Sequence, residues 1–327
     1  MQEKKFKEYY IKRGNTPEVS DEAVKAVKEW ETQLKRTGKK INTATVEDLK
    51  SYIATLMEAG ENTDERLLAI TRYLHLTKKN EIYSHMAAVL GGRGVYDSIS
   101  DRLGKIAGKK KQRQVFRGFK QPPLGSTPET YPRCTRDLLV RLNLALTPEQ
   151  IRQTLAGNHH RIPAEEYTDM KKRYEAAKTM DEFLAGEHKR LVKELEGAMK
   201  SGRFWYEQEI TPDVIEFVKN DQKIQNGVLE GDVVIKTKIP FNPKLWLTER
   251  DPKMKRYYAC HCQLARSSIL DGDSKRLEGF CYCSAGYEKN SLEVVLGVPL
   301  EVEVLESVLA GDDVCKFAIK IPIDKIK

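Results

Sequence analysis

The sequence lacks any apolar run long enough to span a membrane, although 40% of its 327 residues are hydrophobic. A membrane-spanning helix needs about 20 consecutive apolar residues, so we expect no such span. The first residues, Met1-Gln2-Glu3-Lys4-Lys5, are charged and no apolar run follows them, so we also expect no signal peptide. With 32% charged residues, these absences predict a cytoplasmic globular protein.

Cysteine is also scarce, with six residues in the chain, but its distribution is uneven. Four of the six form two doublets, Cys260/Cys262 and Cys281/Cys283. In a reducing compartment, clustered thiols favour metal binding or catalysis over disulfides. Because residues i and i+2 of an extended strand point the same way, two doublets can direct four sulfurs to one point. The spacing therefore predicts a metal site, with zinc favoured and an iron–sulfur cluster as the other candidate.

His261 lies inside the first doublet, and its role depends on the local backbone. In a turn it joins the cysteines as a metal ligand, whereas in a strand it points away from them. Two other interpretations stay open: a reactive thiol activated by His261 or by Arg266, and cysteines that are buried and inert.

The hydrophobic pattern changes along the chain from a helical period to an alternating one. Thr16, Thr45 and Thr63 each precede an apolar stripe and predict helix starts. Later, alternation predicts strands over 231–239, 256–262 and 300–321, the last as a hairpin that turns at Gly311. A short helix is expected to end at Gly297.

These patterns predict an α+β protein in which an N-terminal helical bundle precedes an antiparallel-sheet domain. We expect a bundle over 1–108, a basic and proline-rich connector over 109–133, a helical segment over 134–201, and an α+β small-molecule-binding domain over 202–327. No internal repeat or low-complexity tract is visible.

The segment from Gly104 to Lys120 contains seven basic residues and no acidic one, within a chain of net charge +8. Such a run could bind a phosphate backbone. Because no aromatic interleaving or groove-reading motif accompanies it, we favour a solvated linker or helix end.

Three residues are candidates for proton transfer. His159 and His160 are adjacent, follow a predicted helix end and lie beside the polar residues Asn158 and Arg161. Imidazole titrates near neutral pH and is the usual general base. Glu288 could act as an acid or base if it is buried. The simpler interpretations are an exposed histidine pair and an exposed carboxylate near a helix start.

The segment GFCYCSAGYEKNSLEVVLGVPLEVEVLESVLAGDDVCKFAIKIP resembles vinyl-reductase-type small-molecule-binding domains and sequences related to 2-amino-thiazoline-carboxylate hydrolases. The resemblance rests on Cys281 or Cys283, on Ala285-Gly286-Tyr287 and on the Gly311-Asp312…Cys315 hairpin. It implies an α+β fold, a hydrophobic ligand pocket, and hydrolysis or ligand sensing. The first doublet departs from that pattern. Residues 17–90 are similar in helical pattern to the core-binding domain of tyrosine recombinases, but no recombinase catalytic set follows.

The favoured functional prediction is a metal-dependent, enzyme-like protein that binds a small molecule and hydrolyses a small heterocyclic or amide substrate. In it the cysteines hold zinc or an iron–sulfur cluster, and His159, His160 or Glu288 transfers protons. The alternative is a ligand-responsive regulator whose basic helical half binds nucleic acid or a protein. Nucleic acid is the less favoured partner, no membrane is expected, and a homodimer stays open.

Overall fold

The computed structural model describes residues 1–326 and divides the chain into two compact units. The first comprises residues 1–91 and 122–127, and the second comprises residues 92–121 and the chain from 128 onward. The first unit is helical, and the second contains helices and one antiparallel sheet, so the predicted α+β class is confirmed. No helix within residues 1–326 has the length and hydrophobicity that a membrane crossing requires.

The first unit is built from five helices around its own core. They are α1 (Glu3–Ile11), α2 (Pro17–Arg36), α3 (Val46–Ala59), α4 (Asp64–Leu76) and α5 (Asn80–Leu90). The three predicted threonine caps are confirmed: Thr16, Thr45 and Thr63 each accept a hydrogen bond from a backbone N–H of the first helical turn. Helix α1 was not predicted, although its Phe6 is completely buried.

The second unit contains ten helices among its described residues. They are α6 (Val95–Ile106), α7 (Gly108–Phe116), α8 (Tyr131–Ala145), α9 (Pro148–Leu155), α10 (Thr168–Ala176), α11 (Met180–Ser201), α12 (Pro212–Lys219), α13 (Pro243–Thr248), α14 (Pro252–Ala259) and α15 (Cys281–Leu296). Four strands complete it: β1 (Val228–Glu230), β2 (Val233–Thr237), β3 (Glu301–Glu306) and β4 (Lys316–Lys320).

The sheet has the strand order β1-β2-β4-β3, and every neighbouring pair is antiparallel. The predicted C-terminal hairpin is confirmed as β3 and β4, with Val302 opposite Ile319. Val234 and Ile319 are fully buried and share a core with Leu292 and Val295 of α15. Helix α15 therefore covers one face of the sheet, and β2 carries Lys236 on the same face as Val234 because side chains alternate along a strand.

The observed units differ from the predicted domain boundaries. Helix α6 belongs to the second unit, where Ile99 and Leu103 share a core with Val115 of α7. The segment 109–133 was predicted as a connector, yet it contains most of α7 and the start of α8. The basic run also contains the apolar residues Val115 and Phe116. Because these two side chains pack against the core, the stretch forms a helix rather than a solvated connector.

Two predictions around the cysteines are wrong. Residues 256–262 do not form a strand, because Asp251 caps and Pro252 begins helix α14, and the chain leaves it in an extended conformation at Cys260. Cys281 and Cys283 lie in the first turn of α15, which begins ten residues before the short helix expected at Ser291. Helical residues i and i+2 point to nearly opposite sides, so the second doublet cannot direct its thiols as a strand would.

Gly286 sets how closely α15 approaches the end of α9. A Cβ atom at this position would lie 2.5 Å from the backbone carbon of Ala156 and 2.5 Å from the backbone nitrogen of Gly157. Real Cβ atoms do not approach backbone this closely, so glycine is required for this contact between the two helices.

We predict that Gly286→Ala destabilises the second unit by about 1–3 kcal/mol or more, because overpacking against backbone cannot be relieved by a rotamer change. Urea denaturation measures the effect. Gly197→Ala is the matched control, since a Cβ at Gly197 of α11 meets no atom within 4 Å. The control should gain about 0.5–1 kcal/mol from helix propensity. Equal effects of the two substitutions would contradict the close approach.

Candidate functional site: a thiol-lined cavity beside a buried ion pair

Four thiols line one small cavity in the second unit, between α14, α15 and the sheet. They belong to Cys260, Cys262, Cys281 and Cys315, and the cavity has a volume of about 20 Å³. The structure thus brings together three of the four predicted cysteines and adds Cys315, which was not predicted as a site residue. Lys238, His261 and Ser284 complete the polar part of the lining.

Each cysteine of the cavity lies where a regular element begins or ends. Cys260 caps the C-terminus of α14, and Cys262 follows it in the loop. Cys281 is the first residue of α15, and Cys315 directly precedes β4. The antiparallel hairpin returns the chain to the start of α15. Cys281 and Cys315 are therefore close in space although they are far apart in the sequence.

Two cysteines lie outside this lining. Cys283 is buried, but it stands two residues after Cys281 in α15 and therefore points elsewhere, close enough only to influence Cys262 electrostatically. Cys134 lies on α8, where its thiol donates to the carbonyl of Lys120 at 3.4 Å. All six cysteines are free of disulfides.

The thiols are protonated near neutral pH. Burial raises the pKa of every cavity cysteine, to about 12 for Cys262, and mutual repulsion of the thiolate forms raises the pKa of Cys260 and Cys281 further. The sulfur of Cys281 lies 2.9 Å from the hydroxyl of Ser307. A nucleophile and a metal ligand are both thiolates, so the raised pKa values argue against a thiol activated by His261 or Arg266 in the metal-free protein.

A buried ion triad borders the cavity and links α15 to the sheet. The Glu288 carboxylate has one oxygen 2.8 Å from Nζ of Lys236 and the other 3.3 Å from Nζ of Lys238. Glu288 is 1% exposed. Neither contact has hydrogen-bond geometry, so the triad is held by charge attraction. Burial raises the pKa of the Glu288 carboxyl, but the two lysines outweigh burial and hold the pKa well below its ordinary value.

Lys238 is the side chain that connects the parts of the site. Its ammonium donates to the hydroxyl of Ser284 at 3.2 Å and lies 4.8 Å from the ring centre of Tyr287. It also lowers the pKa of Cys262 and Cys283 against the larger effect of burial. Lys238 follows β2, and its alternation with Val234 and Lys236 points it toward α15.

Arg266 adds a further buried cation next to the cysteines. Its guanidinium lies 4.2 Å from the ring centre of Phe241 and 4.9 Å from that of Tyr257. The residue is 7% exposed, and within residues 1–326 it forms no ion pair with a carboxylate. Its charge lowers the pKa of Cys260, again against the larger effect of burial. The two aromatic rings stabilise the cation but do not neutralise it.

His261 lines the cavity with one of its nitrogens already engaged. Its Nε2–H donates to the carbonyl of Ile239 at 2.6 Å, and its ring packs edge-to-face on Phe241. Burial and the charge of Lys238 lower its pKa to about 3, so the ring is neutral. Only Nδ1 is left as a metal-ligating atom.

His159 occupies a structural position near the end of α9. Its Nε2 donates to the carbonyl of Thr154 at 3.0 Å, and its Nδ1 lies 3.1 Å from the hydroxyl of Ser98. Burial lowers its pKa to about 4. Both ring nitrogens therefore have protein partners, which leaves neither for a substrate.

His160 packs against Tyr287, which in turn contacts Lys238. Its ring packs edge-to-face on Tyr287 with 5.4 Å between ring centres. His160 is exposed, yet desolvation by the surrounding protein, followed by the charge of Lys238, lowers its pKa to about 4. Tyr206 is 64% exposed, has a left-handed φ of 51° and influences Tyr287 electrostatically. We refer to His160, Tyr206 and Tyr287 as the aromatic cluster; Lys238 lies near its Tyr287 and also lines the thiol cavity.

The donor chemistry of the cavity fits a soft metal ion. No group of three or more His, Cys, Asp or Glu side chains in residues 1–326 already has its donor atoms placed around a metal position. Four thiols around one cavity are nevertheless the donor set of structural zinc. A volume of about 10–15 Å³ holds one water molecule, so a cavity of about 20 Å³ has the size of a single small occupant.

Comparison with known proteins assigns part of the chain to a family model. A family model described as "Family of unknown function (DUF6144)" matches residues 244–327, a segment that includes all five cysteines discussed for this site. No curated protein and no solved structure matches the chain.

Sequence reasoning missed Cys315 and Lys238. Cys315 was noted only within the Gly311-Asp312 hairpin motif. It was not predicted as a site residue because it lies far from the doublets along the chain. The signal for Lys238 was present: Val234, Lys236 and Lys238 alternate on one face of a strand, and lysines at core-facing positions are rarely buried without a partner.

We predict that Glu288→Gln lowers the free energy of unfolding by about 3–5 kcal/mol, because it leaves two buried ammonium groups without their carboxylate. Urea denaturation at neutral pH measures this. Glu209→Gln is the control: Glu209 pairs with Lys244, both are nearly half exposed, and such a pair contributes about 0–1 kcal/mol. A loss for Glu288→Gln no larger than that of the control would contradict the structural role of the triad.

Proposed function

We propose that the second unit binds one metal ion, with zinc favoured, through Cys260, Cys262, Cys281 and Cys315. The observation that carries the proposal is that these four thiols line a common cavity of single-ion size. The ion supplies a tetrahedral centre that fastens the end of α14, the start of α15 and the hairpin to one another. A structural zinc site contributes directly to folding free energy.

The buried charges around the cavity support this proposal. Lys236, Lys238 and Arg266 provide three positive charges, Glu288 provides one negative charge, and the carboxyl of Glu207, whose pKa burial raises, also lies near Lys238. A Zn²⁺ ion on four thiolates carries two negative charges. Uncompensated charge is costly in a protein interior, so the metal–thiolate group and the surrounding cations stabilise each other.

Hydrolysis is not part of this proposal, because zinc held by four thiolates keeps no open position for water or substrate. The place we propose for a small-molecule ligand is the aromatic cluster of His160, Tyr206 and Tyr287. Its support is the exposure of His160 and Tyr206 beside Lys238. Within the described residues the ring nitrogens of His160 have no hydrogen-bond partner, so this imidazole is available to a ligand.

We predict that Cys315→Ser loses metal and Cys283→Ser keeps it. Removing a residue that only hydrogen-bonds to a metal ligand lowers metal affinity by about 10–100-fold. Removing a ligand itself should therefore lower the affinity at least as much. Protein purified under reducing conditions with zinc is analysed by plasma mass spectrometry. The unaltered chain and Cys283→Ser should contain one equivalent, whereas Cys260→Ser, Cys262→Ser, Cys281→Ser and Cys315→Ser should fall well below it.

Cys134→Ser, whose thiol lies outside the cavity lining, controls for a general effect of losing a thiol. Thermal unfolding followed by circular dichroism establishes that each variant is folded. Retention of a full equivalent by Cys315→Ser, or its loss from Cys283→Ser, would contradict the proposed ligand set, and a metal-free wild-type protein would refute the proposal.

Metal binding should release about four protons at pH 7, since each thiol must lose its proton to bind zinc. The raised pKa values keep these thiols protonated without metal, so the apparent affinity should increase as pH rises from 6 to 8. Calorimetry in two buffers of different ionisation enthalpy measures the proton number. Release of fewer than two protons, or an affinity independent of pH, would be inconsistent with four thiol ligands.

A further inference from the structure

Helix α7 presents a patch of positive charge on the surface of the second unit. The patch comprises α7 and its flanks, and its basic residues are Lys105, Lys109, Lys110, Lys111, Arg113, Arg117 and Lys120. No acidic residue lies between positions 104 and 120. Six of the seven are exposed, and Lys111 is half-buried with its ammonium on the carbonyl of Ala145.

These cations are not neutralised by the protein. Across residues 1–326, none of the seven forms an ion pair with a carboxylate, although many exposed lysines and arginines elsewhere in the chain do. Arg141 of the neighbouring α8 shows the contrast, because its guanidinium lies 2.9 Å from the carboxylate of Asp137.

The arrangement is unfavourable for the isolated helix. Lys109 and Arg113 stand at i and i+4 of α7, and like charges at this spacing destabilise a helix by about 0.2–0.5 kcal/mol per pair. No carboxylate occupies the first turn of α7, where it would interact favourably with the helix dipole. An external polyanion would remove this repulsion.

The surroundings of the patch distinguish among polyanions. The apolar side of α7 is already used, since Val115 is 1% exposed and Phe116 packs on the same core. No large hydrophobic side chain is exposed between positions 104 and 120, so there is no apolar face to enter a membrane. The same lack disfavours a protein partner, because protein interfaces are centred on apolar and aromatic residues and are depleted in lysine.

We propose that the α7 patch binds the phosphate backbone of nucleic acid without reading its sequence. Closely spaced unpaired cations on a rigid helix suit a row of phosphates, and binding is driven by release of condensed counterions. This inference is independent of the metal site, because the patch and the thiol cavity share no residue.

The test is fluorescence anisotropy with a duplex DNA of about 16 base pairs and arbitrary sequence, titrated with the full chain at several salt concentrations. Non-specific binding has Kd values of about 10⁻⁴–10⁻⁶ M near physiological salt, and log K falls with log salt with a slope of about −0.9 per phosphate contact. We expect the triple variant Lys109→Gln/Lys110→Gln/Arg113→Gln to reduce the magnitude of this slope by about 3.

The matched control is Lys171→Gln/Lys189→Gln/Lys193→Gln, which removes the same charge from exposed, unpaired lysines on α10 and α11. The control should bind like the unaltered chain and retain its melting temperature, the α7 variant should melt at the wild-type temperature or slightly above it, and both should retain the wild-type metal content. Equal slopes for the two triple variants would overturn the proposal. So would the absence of duplex binding at low salt, including the case in which vesicles of anionic lipid bind instead.

Discussion

The position of Glu288 between Lys236 and Lys238 is the constraint on which the second unit depends. This carboxylate fixes helix α15 to the strand that carries both lysines, and the two ion pairs of 2.8 and 3.3 Å are almost completely shielded from water. Because the first residue of α15 is Cys281, the same attachment determines where that thiol lies. A buried ion pair adds little to the free energy of unfolding by itself, because both charges lose their hydration. Removing one partner is nevertheless strongly destabilising, since it leaves the other charge buried and unpaired. The triad therefore fixes the position of helix α15 along the sheet.

The excess of buried positive charge gives the cavity its chemical preference. Lys238 lines the cavity and Arg266 lies near enough to lower the pKa of Cys260, so in the site we propose these cations would stabilise four thiolates on a divalent ion. The raised thiol pKa values describe the protein without that ion, since burial disfavours thiolates that have no metal. Metal binding and the buried cations thus form one electrostatic unit. The α7 patch is a separate excess of positive charge, and it lies on the surface where an extended polyanion can reach it.

The predictable part of the fold was local. Threonine caps, apolar stripes and the alternating hairpin residues all act within one or two turns of chain, so the helices that follow Thr45 and Thr63 and the pairing of β3 with β4 could be derived. The errors came from tertiary context. Residues 256–262 alternate enough to suggest a strand, but Pro252 and its aspartate cap start a helix that overrides this preference. Three of the four doublet cysteines line the cavity of the candidate site. The fourth thiol of that cavity belongs to Cys315, which strand pairing brings there and which the spacing of the cysteines along the chain did not indicate.

The central claim is that four cysteine sulfurs hold a single ion, and X-ray absorption at the zinc edge tests it most directly. Spectra of the zinc-loaded full chain should fit four sulfur neighbours at about 2.3 Å, with no nitrogen or oxygen in the first shell and no second metal nearby. A first shell that contains a histidine nitrogen, a water oxygen or fewer than four sulfurs would contradict the ligand set and restore an open, catalytic type of site.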